Sequence, residues 1–247
     1  PVPMLMMARF SMGPIILVPY FLLSSRPFKL SNFPAFFIRI SCGIIAMTLY
    51  FWAIQHGPLG KVYLIFMSSI LWAFLLSIWL FKERPHFFTF LAIPVAFIGL
   101  YLVVDPPHFW QFESNDLIAL LASFFNAGVY LSLKILRKTN DALAIVLTNY
   151  SVATLSMIVP ITYVAVMPSS LEWLLLGLLG LIGLIANILM TIGFKYSPAG
   201  ISASMALISV PLMTASGLVF FNETLSISNS IGICLVLLSL FIITTRQ

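Results

Sequence analysis

The stretch Gly57-Pro58-Leu59-Gly60-Lys61-Val62-Tyr63-Leu64-Ile65-Phe66-Met67-Ser68-Ser69-Ile70-Leu71-Trp72-Ala73-Phe74-Leu75-Leu76-Ser77-Ile78-Trp79-Leu80-Phe81-Lys82-Glu83 opens on a Pro-x-Gly turn and closes on Phe-x-Glu. From Val62 to Phe81 it carries no charge. Its length matches the roughly 20 apolar residues a helix needs to cross a bilayer. In hydrocarbon every backbone polar group must be satisfied internally, which leaves an α-helix or a closed barrel. Barrel strands would alternate in polarity over about 10 residues, and this run does not alternate. It predicts a transmembrane helix.

Working outward, runs of the same kind cover 3–24, 34–55, 59–81, 87–104, 116–137, 142–166, 171–194, 199–221 and 227–245. Turn chemistry separates them: Ser24-Ser25-Arg26-Pro27, Gly57-Pro58, Glu83-Arg84-Pro85, Asp105-Pro106-Pro107, Pro168-Ser169-Ser170 and Ser197-Pro198. Of the 247 residues 61% are hydrophobic and 8% charged, with a mean hydropathy of +1.10. A soluble domain carries about a quarter charged residues. This chain could not cover a water-facing surface, so the lipid bilayer is its expected partner. The net charge of +5 is spread between apolar runs. It is read as a topology signal rather than a phosphate-binding face, and no nucleic acid partner is expected.

Cys42 and Cys234 lie inside apolar runs without metal-ligand spacing, and no metal or other cofactor is expected. His56, His86 and His108 fall in connections with no paired carboxylate or nucleophile beside them. The opening Pro1-Val2-Pro3 has no basic segment or cleavage site of a signal peptide.

The side of the membrane holding the 25–33 connection also receives Lys82, Arg84, Lys134, Arg137, Lys138, Lys195 and Arg246, together with Arg26, Lys29 and Arg39. The opposite side has Lys61 and the acidic residues Asp105, Glu113, Asp116, Glu172 and Glu223, while Arg9 lies within the first run. The positive-inside rule makes the first side, and the C-terminus with it, cytoplasmic.

Sliding the chain by 140 residues without a gap brings Gly43 onto Gly183, Ala46 onto Ala186, Leu49 onto Leu189 and Ser69 onto Ser209. The same shift lays Pro58-Leu59-Gly60 on Pro198-Ala199-Gly200 and Phe81-Lys82-Glu83 on Phe221-Asn222-Glu223. The chain is therefore read as two repeats, 1–104 and 116–247. The 116–137 helix belongs to the second, and its counterpart in the first would lie upstream of Pro1. An odd number of helices per repeat inverts one copy relative to the other. The expected fold is an all-α membrane protein, nine helices of a ten-helix inverted five-plus-five bundle.

These residues resemble the drug/metabolite transporter superfamily, in particular EamA-type carriers. The resemblance rests on Tyr50-Phe51-Trp52-Ala53-Ile54 leading into Gly57-Pro58-Leu59-Gly60, and on Phe81-Lys82-Glu83. In the second half it rests on Phe194-Lys195-Tyr196-Ser197-Pro198-Ala199-Gly200, Val210-Pro211 and Phe221-Asn222-Glu223. Such carriers often have a mid-helix proline in both copies, and here Leu71 stands where Pro211 stands in the second.

Polar groups at membrane depth are costly and usually face the bundle interior or a wet cavity. Asn126 and Tyr130 are four apart on one helix face, as are Asn187 and Thr191. Ser202, Met205 and Ser209 form a stripe on one helix, and Tyr63 with Met67 on another, with Tyr50 in the span just before. Tyr50, Tyr63, Met67, Asn126, Tyr130, Asn187, Thr191, Met205 and Ser209 are the candidate substrate-binding residues. The resemblance implies that the corresponding helices line a central cavity. The competing reading is that these groups only hold helices together. Gly177, Gly180 and Gly183 are read as helix-packing positions, and Glu83 and Glu223 as structural or gating ends.

No Asp or Glu stands in the middle of a span, and Arg9 is the one mid-span cation read from the sequence, which disfavours phosphate-rich cargo. The expected function is a secondary carrier of a small organic metabolite by alternating access. An amino acid or amino-acid derivative, S-adenosylmethionine-like molecules among them, is the expected class. No catalytic residues are expected; a membrane-embedded enzyme would need a His-x-x-Glu-His motif or a Ser/His/Asp set, and neither is present. A non-transporting membrane scaffold is the third reading. The expected location is the bacterial inner membrane, and a homodimer is compatible with the sequence.

Overall fold

The computed structural model describes residues 2–24, 28–83, 85–105, 111–164, 168–221 and 226–245. Arg26, Arg84, His108, Glu223 and Arg246, which entered the sequence reading, lie outside the described residues. The described chain is helical: α1 (Val2–Leu23), α2 (Phe33–His56), α3 (Leu59–Met67), α4 (Ser69–Phe81), α5 (Phe87–Val104) and α6 (Ser114–Leu136). There follow α7 (Ala142–Val164), α8 (Ser170–Gly193), α9 (Ala199–Ser204), a 3₁₀ turn (Met205–Ile208), α10 (Ser209–Phe221) and α11 (Ile227–Thr245). Counting α3 with α4 and α9 with α10, nine spans among the described residues are long and apolar enough to cross a membrane, where the sequence puts them. Large apolar side chains such as Leu22, Phe37, Trp79 and Ile182 stand exposed on them, as befits helices whose solvent is lipid.

Two of the expected straight spans are broken. In the first repeat the helix stops at Met67 and restarts at Ser69, with the Ser68 amide turned back to the carbonyls of Ile65 and Phe66. In the second, the 3₁₀ turn separates α9 from α10, which restarts at Ser209. The two restarts are 140 residues apart, at the same position of each repeat. Pro211 has no amide hydrogen to donate and falls in the first turn of α10, where helices tolerate it. Leu71 at the matching place in the first copy has its amide, so proline alone does not cause the break.

By packing, the chain divides into two compact units, one of residues Pro1–Ile44 with Ser132–Tyr196, the other of Ile45–Leu131 with Ser197–Gln247. In the first unit α1 packs on α7 and α8. Gly13 and Phe10 of α1 meet Tyr150 of α7, and Leu17, Val146 and Leu147 share the apolar cluster around it. A Cβ on Gly180 would lie 2.7 Å from the Ala8 carbonyl oxygen, so glycine is what lets α8 approach α1. At one end of this unit the Asn140 side chain accepts from the Ser31 amide at 2.7 Å, and Arg137 donates to the Asn140 carbonyl at 2.8 Å.

In the second unit α5 and α11 cross where Gly99 faces Gly232; a Cβ on either would lie 2.6 Å from the other's carbonyl oxygen. Gly99 also meets Leu235 and Val236, and Gly232 meets Leu102 and Val103, so the two helices are antiparallel. They are also partners under the 140-residue shift, Phe87 matching Ile227. Inverted copies should pair in this sense. Around them Leu64, Phe66, Met67, Ile70, Leu100, Leu207, Val210, Val236 and Leu240 form the main apolar core.

Candidate functional site

The second unit gathers polar groups at its two helix breaks. The Asn126 amide on α6 donates to the Ser69 hydroxyl at 3.0 Å, in the first turn of α4. Tyr130, one turn beyond Asn126 and buried, engages the same Asn126 and Ser69 side chains. Ser68, the break residue itself, donates to the Ser123 hydroxyl at 2.9 Å, and Ser123 passes its own hydrogen to the Leu120 carbonyl at 2.7 Å. At the other break the Ser209 hydroxyl gives its hydrogen to the Ala206 carbonyl at 2.7 Å. Its oxygen is then left to accept from the Tyr63 hydroxyl at 3.2 Å.

Tyr63 stands within electrostatic reach of both Tyr50 and Tyr130. The Tyr50 ring leans on Phe66 with centroids 4.2 Å apart. Tyr50, Tyr63, Asn126, Tyr130 and Ser209 thus form one neighbourhood of hydroxyl, amide and aromatic groups in an otherwise apolar bundle. Met67 is buried in the apolar core, and Met205 packs against it. A groove of about 420 Å³ opens beside the Ser68 break, lined by Leu64, Ile65, Ser68, Phe97, Ile98, Tyr101 and Leu120. Apart from Ser68 and the Tyr101 hydroxyl its walls are apolar.

Asn187 and Thr191 belong to the other unit, on α8, where Thr191 is buried and its hydroxyl lies 3.5 Å from the Asn187 carbonyl oxygen. One turn earlier on that face, Gly183 seats the Arg9 side chain, and a Cβ there would be 3.4 Å from the Arg9 Nε. The Gly183 carbonyl accepts from the Tyr150 hydroxyl at 3.0 Å, and the Arg9 charge acts on the same phenol. Arg39, counted from the sequence on the side of the 25–33 connection, lies within its expected 34–55 span. It is inside α2, 1% exposed, and its charge reaches Tyr150. Thirty positions separate the two arginines in sequence, so only folding shows that they share a neighbour.

Two further features escaped the sequence reading. Lys61 and Asp116 form a buried ion pair at 2.7 Å. Glu83 accepts from the Ala199 amide at 2.9 Å, so the Phe-x-Glu end of the first repeat caps the Pro-x-Gly helix of the second. Among the histidines, His56 stacks on Trp52, and His86 accepts from the Phe88 amide at the start of α5. No group of three or more His, Cys, Asp or Glu among the described residues could hold a metal ion.

The profile of the EamA-like transporter family matches residues 1–105 and again 114–245. The pseudopaline exporter CntI of Pseudomonas aeruginosa is 25% identical over 191 residues, covering 77% of this chain and 67% of the exporter. An uncharacterized transporter of Helicobacter pylori is 22% identical over 232 residues, covering 91% of this chain and 78% of the relative. A crystal structure of a protein 16% identical superposes with a TM-score of 0.87 over 98% of this chain and 87% of the other, a likeness of fold. Broken apolar helices, polar groups collected at the breaks and a family match over both halves lead to one assignment: the chain is an integral membrane protein of the EamA-like transporter family.

Proposed function

We propose that the chain is a secondary carrier of a small organic metabolite, an amino acid or amino-acid derivative with S-adenosylmethionine-like molecules in the same class, working by alternating access. The observation that carries this reading is the polar neighbourhood at the two helix breaks. Discontinuous helices at matching places in inverted repeats are where carriers of several folds bind their cargo. A stretch of 3₁₀ or turn geometry inside a helix often marks a hinge. Tyr50, Tyr63, Asn126, Tyr130 and Ser209 then offer hydroxyl and amide partners to a cargo's polar end, with Met67 and Met205 beside its apolar part. Asn187 and Thr191, on α8 of the first unit, offer a further amide and hydroxyl to such a cargo. Met is suited to this, being unbranched and able to repack around differing shapes.

The match of the family profile to each half supports the division into repeats 1–104 and 116–247. The basic loops support a bacterial inner-membrane location with the C-terminus cytoplasmic. One relative is named for exporting pseudopaline, so outward movement belongs in any assay. The test is purified full-length protein in proteoliposomes, assayed for uptake and counterflow with a panel of radiolabelled amino acids, their N-acyl derivatives and S-adenosylmethionine. Protein-dependent, saturable movement of a panel member is expected. Movement of none, with correctly inserted protein, would overturn the reading.

A further inference from the structure

Arg9 is held in the middle of its unit rather than at an edge. The Ala8 carbonyl lies against Gly180, and the Arg9 side chain lies over Gly183, the fourteenth of 24 residues in α8. At 1.5 Å per residue that is about 20 Å from one end of the helix and about 15 Å from the other. A long cationic side chain near a helix end would snorkel to the interface. Arg9 instead reaches Tyr150, the ninth of 23 residues in α7. It nevertheless remains exposed. At that depth a guanidinium needs a polar partner or water, lipid being by far the costlier surrounding.

Among the described residues of this unit, none at that level carries negative charge. The carboxylates of this unit are Asp141, just before α7, and Glu172, in the first turn of α8, where it accepts from the Ser169 amide at 2.7 Å. Tyr150 donates its hydrogen to the Gly183 carbonyl, so it meets Arg9 with its oxygen. Beyond Gly183, at successive turns of the same α8 face, come Asn187 and Thr191.

We infer that this unit holds an anion subsite, and that the cargo carries a carboxylate which docks on the Arg9 guanidinium. The inference rests on the carrier reading and narrows it. Arg9 has five N–H donors in a planar fork that matches a carboxylate, and packing over Gly183 holds the side chain that carries it. Asn187 is placed one turn away to hydrogen-bond a polar group next to the carboxylate. Arg39, buried, adds a second positive charge whose field reaches Tyr150. Neutral and purely cationic molecules are then poor cargo.

The probes are L-leucine, L-methionine and L-phenylalanine against their primary amides, which lose the anion and little else in size. Uptake into proteoliposomes and thermal stabilisation of the purified full-length protein are both measured, for the wild type, Arg9→Lys and Arg9→Gln. The wild type is expected to prefer acids by about tenfold or more, the usual scale for a charged hydrogen-bond partner. Arg9→Gln should lose that preference, and Arg9→Lys should keep part of it. Equal handling of acids and amides by the wild type in both assays would overturn the subsite and leave the carrier reading standing. Stabilisation by acids without uptake would overturn the carrier reading and leave the subsite. Absence of both signals would overturn the two together. Where Arg9→Gln fails to insert, the wild-type ratio and Arg9→Lys decide.

Discussion

The Lys61 ammonium and the Asp116 carboxylate stand 2.7 Å apart, each side chain 3% exposed, and tie the first turn of α3 to the first turn of α6. Lys61 also donates to the Gln111 carbonyl, and Asp116 accepts from the Glu113 amide at 2.8 Å. The neighbouring Asn115 amide reaches the Ala53 carbonyl of α2 at 3.0 Å. Three helix ends are thus fastened at one place. Removing one partner of a buried pair leaves an uncompensated charge, at a cost of about 3–5 kcal/mol. Lys61→Met and Asp116→Leu should each destabilise the purified protein by roughly that amount. The double variant should lose much less than their sum. Thermal unfolding of all four proteins checks this, and simple additivity would show that the pair is not coupled.

Glu83 and Ala199 form a second fastening. The Glu83 carboxylate supplies the acceptor that the first turn of α9 lacks, since Pro198 offers no side-chain cap there. A carboxylate at a helix N-terminus also meets the positive end of the helix dipole. Glu83→Ala should destabilise by about 1 kcal/mol, the usual scale for losing such a cap. Glu83→Gln should recover part of the loss, because its amide oxygen can still accept. Equal losses in both variants by thermal unfolding would leave the charge as the whole effect.

The crossing of α5 and α11 gives a prediction with a built-in control. A Cβ on Gly99 would sit 2.6 Å from the backbone oxygen of Gly232, whereas one on Gly193 would meet nothing within 4 Å. Backbone cannot swing aside as a side-chain tip can, and overpacking of this kind costs about 1–3 kcal/mol. Gly99→Ala should therefore lower the melting temperature, and Gly193→Ala should leave it unchanged or raise it. A neutral Gly99→Ala would mean that the helices part easily.

The nine spans were legible because lipid imposes a length and a polarity on any helix that crosses it. The repeat was legible because its turn residues recur at one offset. The break at Ser68 was not, since Ser68-Ser69 with Leu71 reads as ordinary span and no proline marks it. The polar neighbourhood was half legible. Asn126 and Tyr130 share a helix face by spacing, but the Ser69 and Ser123 partners come from tertiary packing. The burial of Arg39 was not legible for a related reason: six residues past the start of α2, it reads as an ordinary span-end cation. The Lys61–Asp116 pair joins residues 55 apart that sit at span ends, and burial at an end leaves no trace in hydropathy.

Sidedness can be tested directly. Ser31 with Asn140, Glu83 with Ala199, and Lys61 with Asp116 each join connections that the charge distribution places on one side. Those contacts pair connections without saying which side is cytoplasmic. Single cysteines at 29 and 138 should resist an impermeant thiol reagent applied to intact cells, while cysteines at 113 and 172 should react. Strong labelling at 138 would reverse the orientation.

Asn126 and Asn187 should respond differently to the same substitution. The Asn126 amide already donates to the Ser69 hydroxyl at 3.0 Å and meets Tyr130, so part of what it does is hold α6 to the break at α4. Asn126→Leu removes that partner and leaves Ser69 and Tyr130 to find others, at about 1–3 kcal/mol. In a chain of this size each kcal/mol shifts melting by roughly 2–4 °C. Asn187 makes one long contact, 3.5 Å from the Thr191 hydroxyl. Leucine there keeps the volume and gives up little that the resting protein uses. Asn187→Leu should thus melt within about 2 °C of the wild type, yet move cargo about tenfold more slowly if its amide meets the cargo. Transport normalised to inserted protein separates the two roles. A lowered melting temperature for Asn187→Leu with unchanged transport would make Asn187 a helix-packing residue and remove it from the pathway.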